Sequence, residues 1–356
     1  MSGGVSAHTI DDPDLRAFEE NGVIGPFTLY SPDEAKAMLR RIRIANQDRS
    51  HILFDNEVNY DRHFDIPELA AHIGHPTIIE KVSKILGPDL LAWRTEFFPK
   101  FPGTPGTEWH QVRNYQYATG TAMLQHSTQS DDLPLDITVW TTFTEATKEN
   151  GCMKFLPGSH RTLYYDESKS ITMGRAGEYS SVDAMESSGS FFGYDFKEFR
   201  VDPAWVPPEE EALAMEMEAG QCVIFTARCV HASYPNTTQR STRFAIASRY
   251  VPTEVKVYPG WPSFEAHGGY FDLTHYGAVL VAGQDTYGHN KIRSTDNRGQ
   301  HFPHHTVAAV AGDGRLPATG RRLRPALLRT CGHHGSAPLA AGLSARRRQS
   351  ALVCQA

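Results

Sequence analysis

The stretch Thr107-Glu108-Trp109-His110-Gln111-Val112 carries the spacing in this chain with the clearest chemical content. A facial iron(II) centre takes two histidines and one carboxylate, the first histidine and the carboxylate being separated by a single residue. On a strand, residues two apart project from one face, so both side chains would reach the same ion. Position 112 instead carries valine, whose isopropyl group donates nothing to a cation. The motif is either no metal site or a metal site with one protein ligand missing.

A second histidine stands downstream. His231, in Val230-His231-Ala232-Ser233, lies just beyond the apolar run Gln221–Phe225, and neutral imidazole suits iron(II). Arg249, in Ala247-Ser248-Arg249-Tyr250, could grip a distal carboxylate with a two-pronged, charge-assisted hydrogen bond. Such a carboxylate belongs to 2-oxoglutarate, and Arg243 is a weaker candidate for the same role. Taken singly, each residue has a plainer reading, because a chain with seventeen histidines holds mostly surface or hydrogen-bonded core histidines. His301, His304 and His305, with His333-His334, look like a metal cluster by composition, but they lie at or within a tail of different character.

Elements must hold these residues. Phe18 to Ile24 reads as a helix end with Gly22 at the stop, running into a short apolar strand. Ser31-Pro32-Asp33-Glu34 is a capping box that starts a helix at Pro32 running into the Arg40–Ile44 region. Ile78, Ile79, Val82 and Ile85 recur at helical spacing between Pro76 and Leu86, and Gly87-Pro88 ends that helix. From Leu90 the period changes. Leu91–Phe98, Trp109–Tyr117, Ile137–Phe143, Cys152–Leu156, Gln221–Phe225, Val230–Tyr234 and Arg243–Val251 read as strands, with Thr138 and Trp140 on the most β-branched of them. The pattern predicts a mainly β fold with helical decoration, a double-stranded β-helix of the jelly-roll, cupin-like kind. Residues 166–210 are polar and weakly patterned, and read as an insertion or lid over the site.

Charge divides the chain. Residues 304–356 hold eight arginines and no lysine against one aspartate and no glutamate, although the whole chain is at −6. The preceding body, residues 1–303, is therefore strongly acidic and argues against a nucleic-acid binder. The tail lacks aromatic residues and periodicity, reads as disordered or out-of-frame sequence, and is set apart from the catalytic domain expected over 1–303. No apolar stretch approaches the length of a membrane span, and Met1–Ile10 has no signal-peptide pattern, so the expected location is cytoplasmic with no membrane partner. Five cysteines form no Cys-x-x-Cys pair, so neither a zinc ribbon nor a disulfide framework is indicated.

Several blocks, in order, carry a family resemblance: Phe18–Phe27, Trp93–Lys100, Asn150-Gly151-Cys152 with Pro157-Gly158, Phe191–Asp195, His231–Pro235 and Ala247–Pro252. From about Phe18 to Phe302 the chain resembles the phytanoyl-CoA-dioxygenase-like superfamily. Within it, the chain is similar to the iron(II)- and 2-oxoglutarate-dependent chlorinating enzymes of nonribosomal peptide assembly, typified by the halogenase of syringomycin biosynthesis. The resemblance implies Fe(II), 2-oxoglutarate, O2 and chloride as cofactors, with His110 and His231 on the iron. It places 2-oxoglutarate against Arg249, Thr138 and Trp140, with Arg243 as the further candidate. Chloride would occupy the position vacated at Val112, with Ala227 and Tyr115 beside it, and Glu96, Phe98 and Tyr117 would line the substrate side.

The implied substrate is an aminoacyl group on the phosphopantetheine arm of a carrier protein, chlorinated at an unactivated carbon. Val112 departs from the alanine or glycine of these halogenases, and Arg113-Asn114-Tyr115-Gln116-Tyr117 departs from their short polar run. The alternatives are an oxygenase that hydroxylates or desaturates, its iron site completed by water or by Asp131, Asp132 or Asp136, and a non-catalytic relative that holds no iron.

Overall fold

The structure, a computed structural model, describes residues 12–48, 60–126, 136–169, 196–266, 269–307 and 324–325. Four helices precede the main sheet: α1 (Pro13–Asn21), α2 (Pro32–Ala45), α3 (Pro67–His72) and α4 (Pro76–Leu86). Their ends follow local chemistry. Gly22 closes α1 at φ 72°, and Ser31 and Glu34 form the reciprocal capping box that starts α2. The short helix α3 escapes the sequence pattern, since six residues hold too few turns for a period to show.

The strands are β1 (Val23–Thr28), β2 (Leu90–Lys100), β3 (Leu124–Gln125), β4 (Ile137–Thr142), β5 (Met153–Phe155), β6 (Thr162–Leu163), β7 (Leu213–Met215), β8 (Gln221–Thr226), β9 (His231–Ser233), β10 (Arg243–Pro252), β11 (Lys256–Val257), β12 (Ser263–Ala266), β13 (Gly269–Asp272), β14 (Val279–Ala282) and β15 (Arg324–Pro325). A six-stranded antiparallel sheet runs β1-β8-β4-β10-β2-β14, and a three-stranded sheet runs β7-β5-β9. The two sheets enclose Trp140, Phe155, Met215, Val223, Phe225, Ala245 and Ala247. This is the expected jelly roll with helical decoration.

The period of two along the central strands sorts chemistry from packing. On β10, Phe244 and Ile246 pack with α2 and α3, and Tyr250 joins the core that includes α4. The alternate residues Arg243, Ala245, Ala247 and Arg249 stand opposite Thr142, Trp140 and Thr138 of β4 and Lys100, Phe98, Glu96 and Arg94 of β2. One sheet face is thus apolar and covered by helices, while the other gathers the arginines, Thr138, Trp140 and Glu96. The register breaks between Arg249 and Tyr250, leaving Trp93 as the extra residue of a β-bulge. The bulge brings the Trp93 ring to 4.8 Å from the Arg94 guanidinium.

The stretch Trp109–Tyr117 does not form the continuous strand its pattern suggested. His110 makes a single antiparallel bridge with His231, after which the chain turns, with Tyr115 at φ 63° and a short 3-10 helix at Gln116–Ala118. The reason lies in the polar side chains: the Gln111 amide and the Asn114 carbonyls take up groups that a ladder would have used. At the other end of the chain, His305 donates its backbone N–H to Val281 O at 2.9 Å and pairs Nε2 with Gly74 O at 2.7 Å, so the body extends past residue 303. Arg324–Pro325 lies parallel to β6. The remainder of the tail, including His333-His334, lies outside the described residues, as do 170–195 of the expected lid.

Candidate metal centre

His110 and His231 are brought face to face across their bridge, with backbone hydrogen bonds of 3.0 Å in both directions and ring centroids 4.2 Å apart. In each ring Nδ1 is paired with a carbonyl two residues earlier, Glu108 O at 2.8 Å and Cys229 O at 2.7 Å. A carbonyl can only accept, so Nδ1 carries the proton and Nε2 presents its lone pair. That is the tautomer a metal ligand requires, fixed by a backbone partner. Burial lowers the pKa of His110 to about 4 and that of His231 well below the usual range. Both rings are neutral at physiological pH.

Val112 is 4% exposed, and its N–H donates to Ala227 O at 2.9 Å, which locks the 112 side chain beside Ala227 and Tyr115 in the same apolar cluster. No group of three His, Cys, Asp or Glu side chains able to hold a metal exists among the described residues. Asp136 is not the missing ligand. Its Oδ1 accepts from Trp93 Nε1 at 3.0 Å and its Oδ2 from the Tyr115 hydroxyl at 2.6 Å. Asp131 and Asp132 lie outside the described residues. His304 pairs with Gly283 O, and His305 with Gly74 O, each as a separate contact.

The chain belongs to the phytanoyl-CoA dioxygenase family.

The family's model, phytanoyl-CoA dioxygenase (PhyH), matches residues 18–245 and so spans most of the chain, from α1 into β10. This family membership makes the chain an oxidoreductase of the iron(II)- and 2-oxoglutarate-dependent oxygenase superfamily. Among solved structures, CytC3 matches at 36% identity and TM-score 0.65, over 84% of this chain and 98% of CytC3. CytC3 with Fe(II) and α-ketoglutarate matches at 33% identity and TM-score 0.64, over 83% of this chain and 98% of CytC3. ThoJ in its apo form, a non-haem monooxygenase, shares the fold at 23% identity and TM-score 0.56 over 80% of this chain and 88% of ThoJ. No curated protein matches the sequence. No helix among the described residues is long and apolar enough to cross a membrane.

In this member of the family the two arginines of the sheet face differ sharply in their surroundings. Arg249 donates through Nη2 to Glu96 Oε2 at 2.6 Å, and through Nη1 to Thr138 Oγ1 at 3.1 Å and to the Tyr115 hydroxyl. Burial opposes its charge, but Glu96, Tyr115 and Asp136 outweigh burial and raise its pKa. Its charge also reaches His110 and His231, depressing both. Arg243 lies at the far end of β10, six residues and about 20 Å along the strand, so the two cannot grip one carboxylate. It is 3% exposed, sits 4.9 Å over the Trp140 ring, and leaves Nε and Nη1 unpaired, as Trp140 leaves Nε1. Burial pushes the Arg243 pKa down to about 9.

A buried cation with two orphaned donors, beside an orphaned indole N–H, is the environment an anionic carboxylate would complete. The Arg243–Trp140 pair therefore fits an anionic carboxylate, whereas Arg249 already uses both of its Nη atoms and leaves only Nε without a hydrogen bond. Glu96, expected on the substrate side, is the buried counter-ion of Arg249, and its Oε1 lies 3.5 Å from Arg94 Nη1. Phe98 is half-buried against the inter-sheet core, and Tyr117 stacks its edge on Phe196 at 5.4 Å.

Three supporting residues escaped the sequence reading. Gln111 is buried with all of its amide used: Nε2 donates to Thr162 O and Arg228 O at 2.8 and 2.7 Å, and Oε1 accepts from the N–H of Tyr164 and Tyr165 at 3.0 and 3.2 Å. It ties the two histidine-bearing segments to β6. Glu167 Oε1 accepts from the N–H of Arg113 and Asn114 at 3.0 and 2.6 Å, fixing the chain just past Val112, and burial raises its pKa to about 7. Phe196 packs its ring 4.7 Å from His110. Alternation alone would have pointed Gln111 away from the metal side, but nothing in the sequence signals its four partners.

Proposed function

We propose that this protein is an iron(II)-, 2-oxoglutarate- and O2-dependent halogenase that chlorinates an unactivated carbon of an aminoacyl group held on a carrier protein. The observation that carries this reading is the two-histidine site itself: both rings offer Nε2, position 112 is a buried valine, and Asp136 is engaged elsewhere. A site with no protein carboxylate among the described residues offers a place for an exogenous anion such as chloride, which would supply the missing negative charge as a transferable ligand.

His110 and His231 would hold the iron, and 2-oxoglutarate would be gripped by Arg243 with Trp140. Iron bound there with 2-oxoglutarate and O2 would supply the oxidising power to remove hydrogen from an unactivated carbon. The protein's own residues set the outcome by position. Val112, Ala227 and Tyr115 would shape the halide side, and Arg249, held in place by Glu96 and Thr138, would set its guanidinium within electrostatic reach of both histidines. The match to CytC3, at 33–36% identity over 98% of its length, supports the iron and 2-oxo acid assignment, since one of the two CytC3 structures holds Fe(II) and α-ketoglutarate.

The test is anaerobic reconstitution with Fe(II) and 2-oxoglutarate, followed by chloride titration and product analysis on aminoacyl carrier proteins. Expected are a 2-oxoglutarate-dependent visible band that shifts with chloride, and a chlorinated product. A band indifferent to chloride with a hydroxylated product only would overturn the halogenase reading in favour of a hydroxylase. Absence of bound iron and of the band would leave a non-catalytic relative.

A further inference from the structure

A line of aromatic rings leads from the candidate iron ligand to the protein surface. From His110, ring centroids step 4.7 Å to Phe196, 5.4 Å to Tyr117, 6.4 Å to Tyr115, 5.2 Å to Trp93, 5.9 Å to Tyr258 and 6.0 Å to Trp261. Trp261 is part-exposed and lines a surface cavity of about 450 Å³ together with Lys256 and Lys291. Packing alone would be served as well by phenylalanine, which fills the neighbouring core at Phe64, Phe264, Phe271 and Phe302. Beyond Phe196 every ring on the line is a tyrosine or tryptophan, the side chains that give up an electron most readily.

Proton handling is also built in. Asp136 accepts the Tyr115 hydroxyl at Oδ2 (2.6 Å) and the Trp93 indole N–H at Oδ1 (3.0 Å), so one buried carboxylate serves the two inner residues. At Tyr258 the hydroxyl accepts from Arg94, and among the described residues no base takes its proton. Tyr258 is placed to bridge rather than to hold charge.

We propose that Tyr117, Tyr115, Trp93, Tyr258 and Trp261 form an escape route that carries an oxidising equivalent from the iron centre to the surface when no substrate hydrogen is in place. The proposal rests on the iron and 2-oxoglutarate reading above, and the oxidant is the centre after it has consumed O2 and the 2-oxo acid. In the first step the Tyr115 ring gives one electron to the oxidised centre across Tyr117 and Phe196, and its O–H proton passes to Asp136. Trp93 then returns an electron to Tyr115, which recovers the proton from Asp136, while the positive indole stays hydrogen-bonded to that carboxylate. Trp261 reduces Trp93 through the Tyr258 ring and releases its own indole proton to water. The balance is one electron gained by the centre, and one electron and one proton lost by Trp261. The indolyl radical then combines with O2 or is reduced by an added reductant such as ascorbate.

The experiment exposes iron-loaded full-length protein to 2-oxoglutarate and O2 without a carrier-bound substrate, then maps oxidised residues by peptide mass spectrometry and radicals by freeze-quench electron paramagnetic resonance. Expected is oxygen addition at Trp261 that requires both iron and 2-oxoglutarate. Trp93→Phe should lower that modification at least about tenfold and shift damage to Tyr115 or Tyr117, with the iron·2-oxoglutarate band unchanged. Because Trp93 is buried and bonded, Trp261→Phe at the part-exposed end provides a second variant that keeps the fold and traps a longer-lived radical on the inner rings. Equal oxidation of Trp261 in wild type and Trp93→Phe would mean a diffusible oxidant and overturn the route. So would an unmodified Trp261 in protein that shows the band and consumes 2-oxoglutarate. If the band itself never forms, the parent reading fails and the route fails with it.

Discussion

Replacing each of the two arginines on β10 separates a cosubstrate anchor from a structural ion pair. Arg243 presents two buried N–H groups without partners, so a carboxylate arriving there gains two charge-assisted hydrogen bonds. At about 1.5–3 kcal/mol each, Arg243→Ala should weaken 2-oxoglutarate binding by about 3–6 kcal/mol, or roughly 10²–10⁴-fold. The same change removes an unpaired buried cation, so unfolding midpoints should stay level or rise. Arg249 is the reverse case. Arg249→Ala strips the buried Glu96 carboxylate of its 2.6 Å partner, leaving Arg94 at 3.5 Å as the nearer remaining arginine, which should cost about 3–5 kcal/mol of stability. Titration of 2-oxoglutarate into iron-loaded protein, followed by its absorption band, reads the first effect, and urea denaturation of the apo proteins reads the second. Arg243→Lys should fall between, since a single ammonium keeps the charge but not the fork. The reasoning is refuted if Arg249→Ala loses binding by two orders of magnitude with its fold intact while Arg243→Ala binds normally.

Three further outcomes follow from the same geometry. His110→Ala or His231→Ala should abolish stoichiometric iron in anaerobically prepared protein, and metal analysis that finds full iron in either variant contradicts the ligand assignment. Gln111→Leu leaves two carbonyls and two N–H groups buried without their partner, so the unfolding free energy should drop by about 3 kcal/mol or more, read as a lower urea midpoint. Burial lowers His72 to about 3 and both His110 and His160 to about 4, so below pH 6.5 the unfolded chain binds protons that the folded chain refuses. Stability is complete above pH 6.5 and falls as pH drops towards 4, by about 2 kcal/mol per such histidine at pH 5, and an apo protein whose urea midpoint is the same at pH 7.5 and pH 5 would contradict it.

The parts of the fold legible in the sequence were those written in local chemistry. The Ser31–Glu34 box, the stop at Gly22, the helical period of Ile78 to Ile85 and the β-branched run at Ile137 each need only a few neighbouring residues to be read, and the elements stand where those residues put them. The pairing of His110 with His231 is set by a bridge between segments over a hundred residues apart, which no local pattern encodes. The strand expected at Trp109–Tyr117 failed for the same reason. Its alternation is real, but Gln111 and Glu167 tie its backbone to distant partners, and Tyr115 turns left-handed to reach Asp136. The different surroundings of Arg249 and Arg243 are likewise hidden in the sequence, because charge there says nothing of counter-ions: Glu96 sits beside Arg249 only through the β2–β10 register.

Among the described residues, the segment that carries position 112 is fixed by partners of its own. The N–H of Val112 is held by Ala227 O, the next two N–H groups are held by Glu167, and Tyr115 is pinned by Asp136 and Arg249, so the segment has no slack to bring another side chain to the histidines. The two carboxylates that have been placed closest in the network, Asp136 and Glu96, are each bonded away, one to Trp93 and Tyr115 and one to Arg249. Arg249 is paired with Glu96 and lies 4.0 Å from Asp136, and its charge acts on both histidines. In the proposed halogenase such surroundings would favour a small exogenous anion over a neutral ligand, and the methyl groups of Val112 and Ala227, whose backbones share a hydrogen bond, would set how large that anion can be.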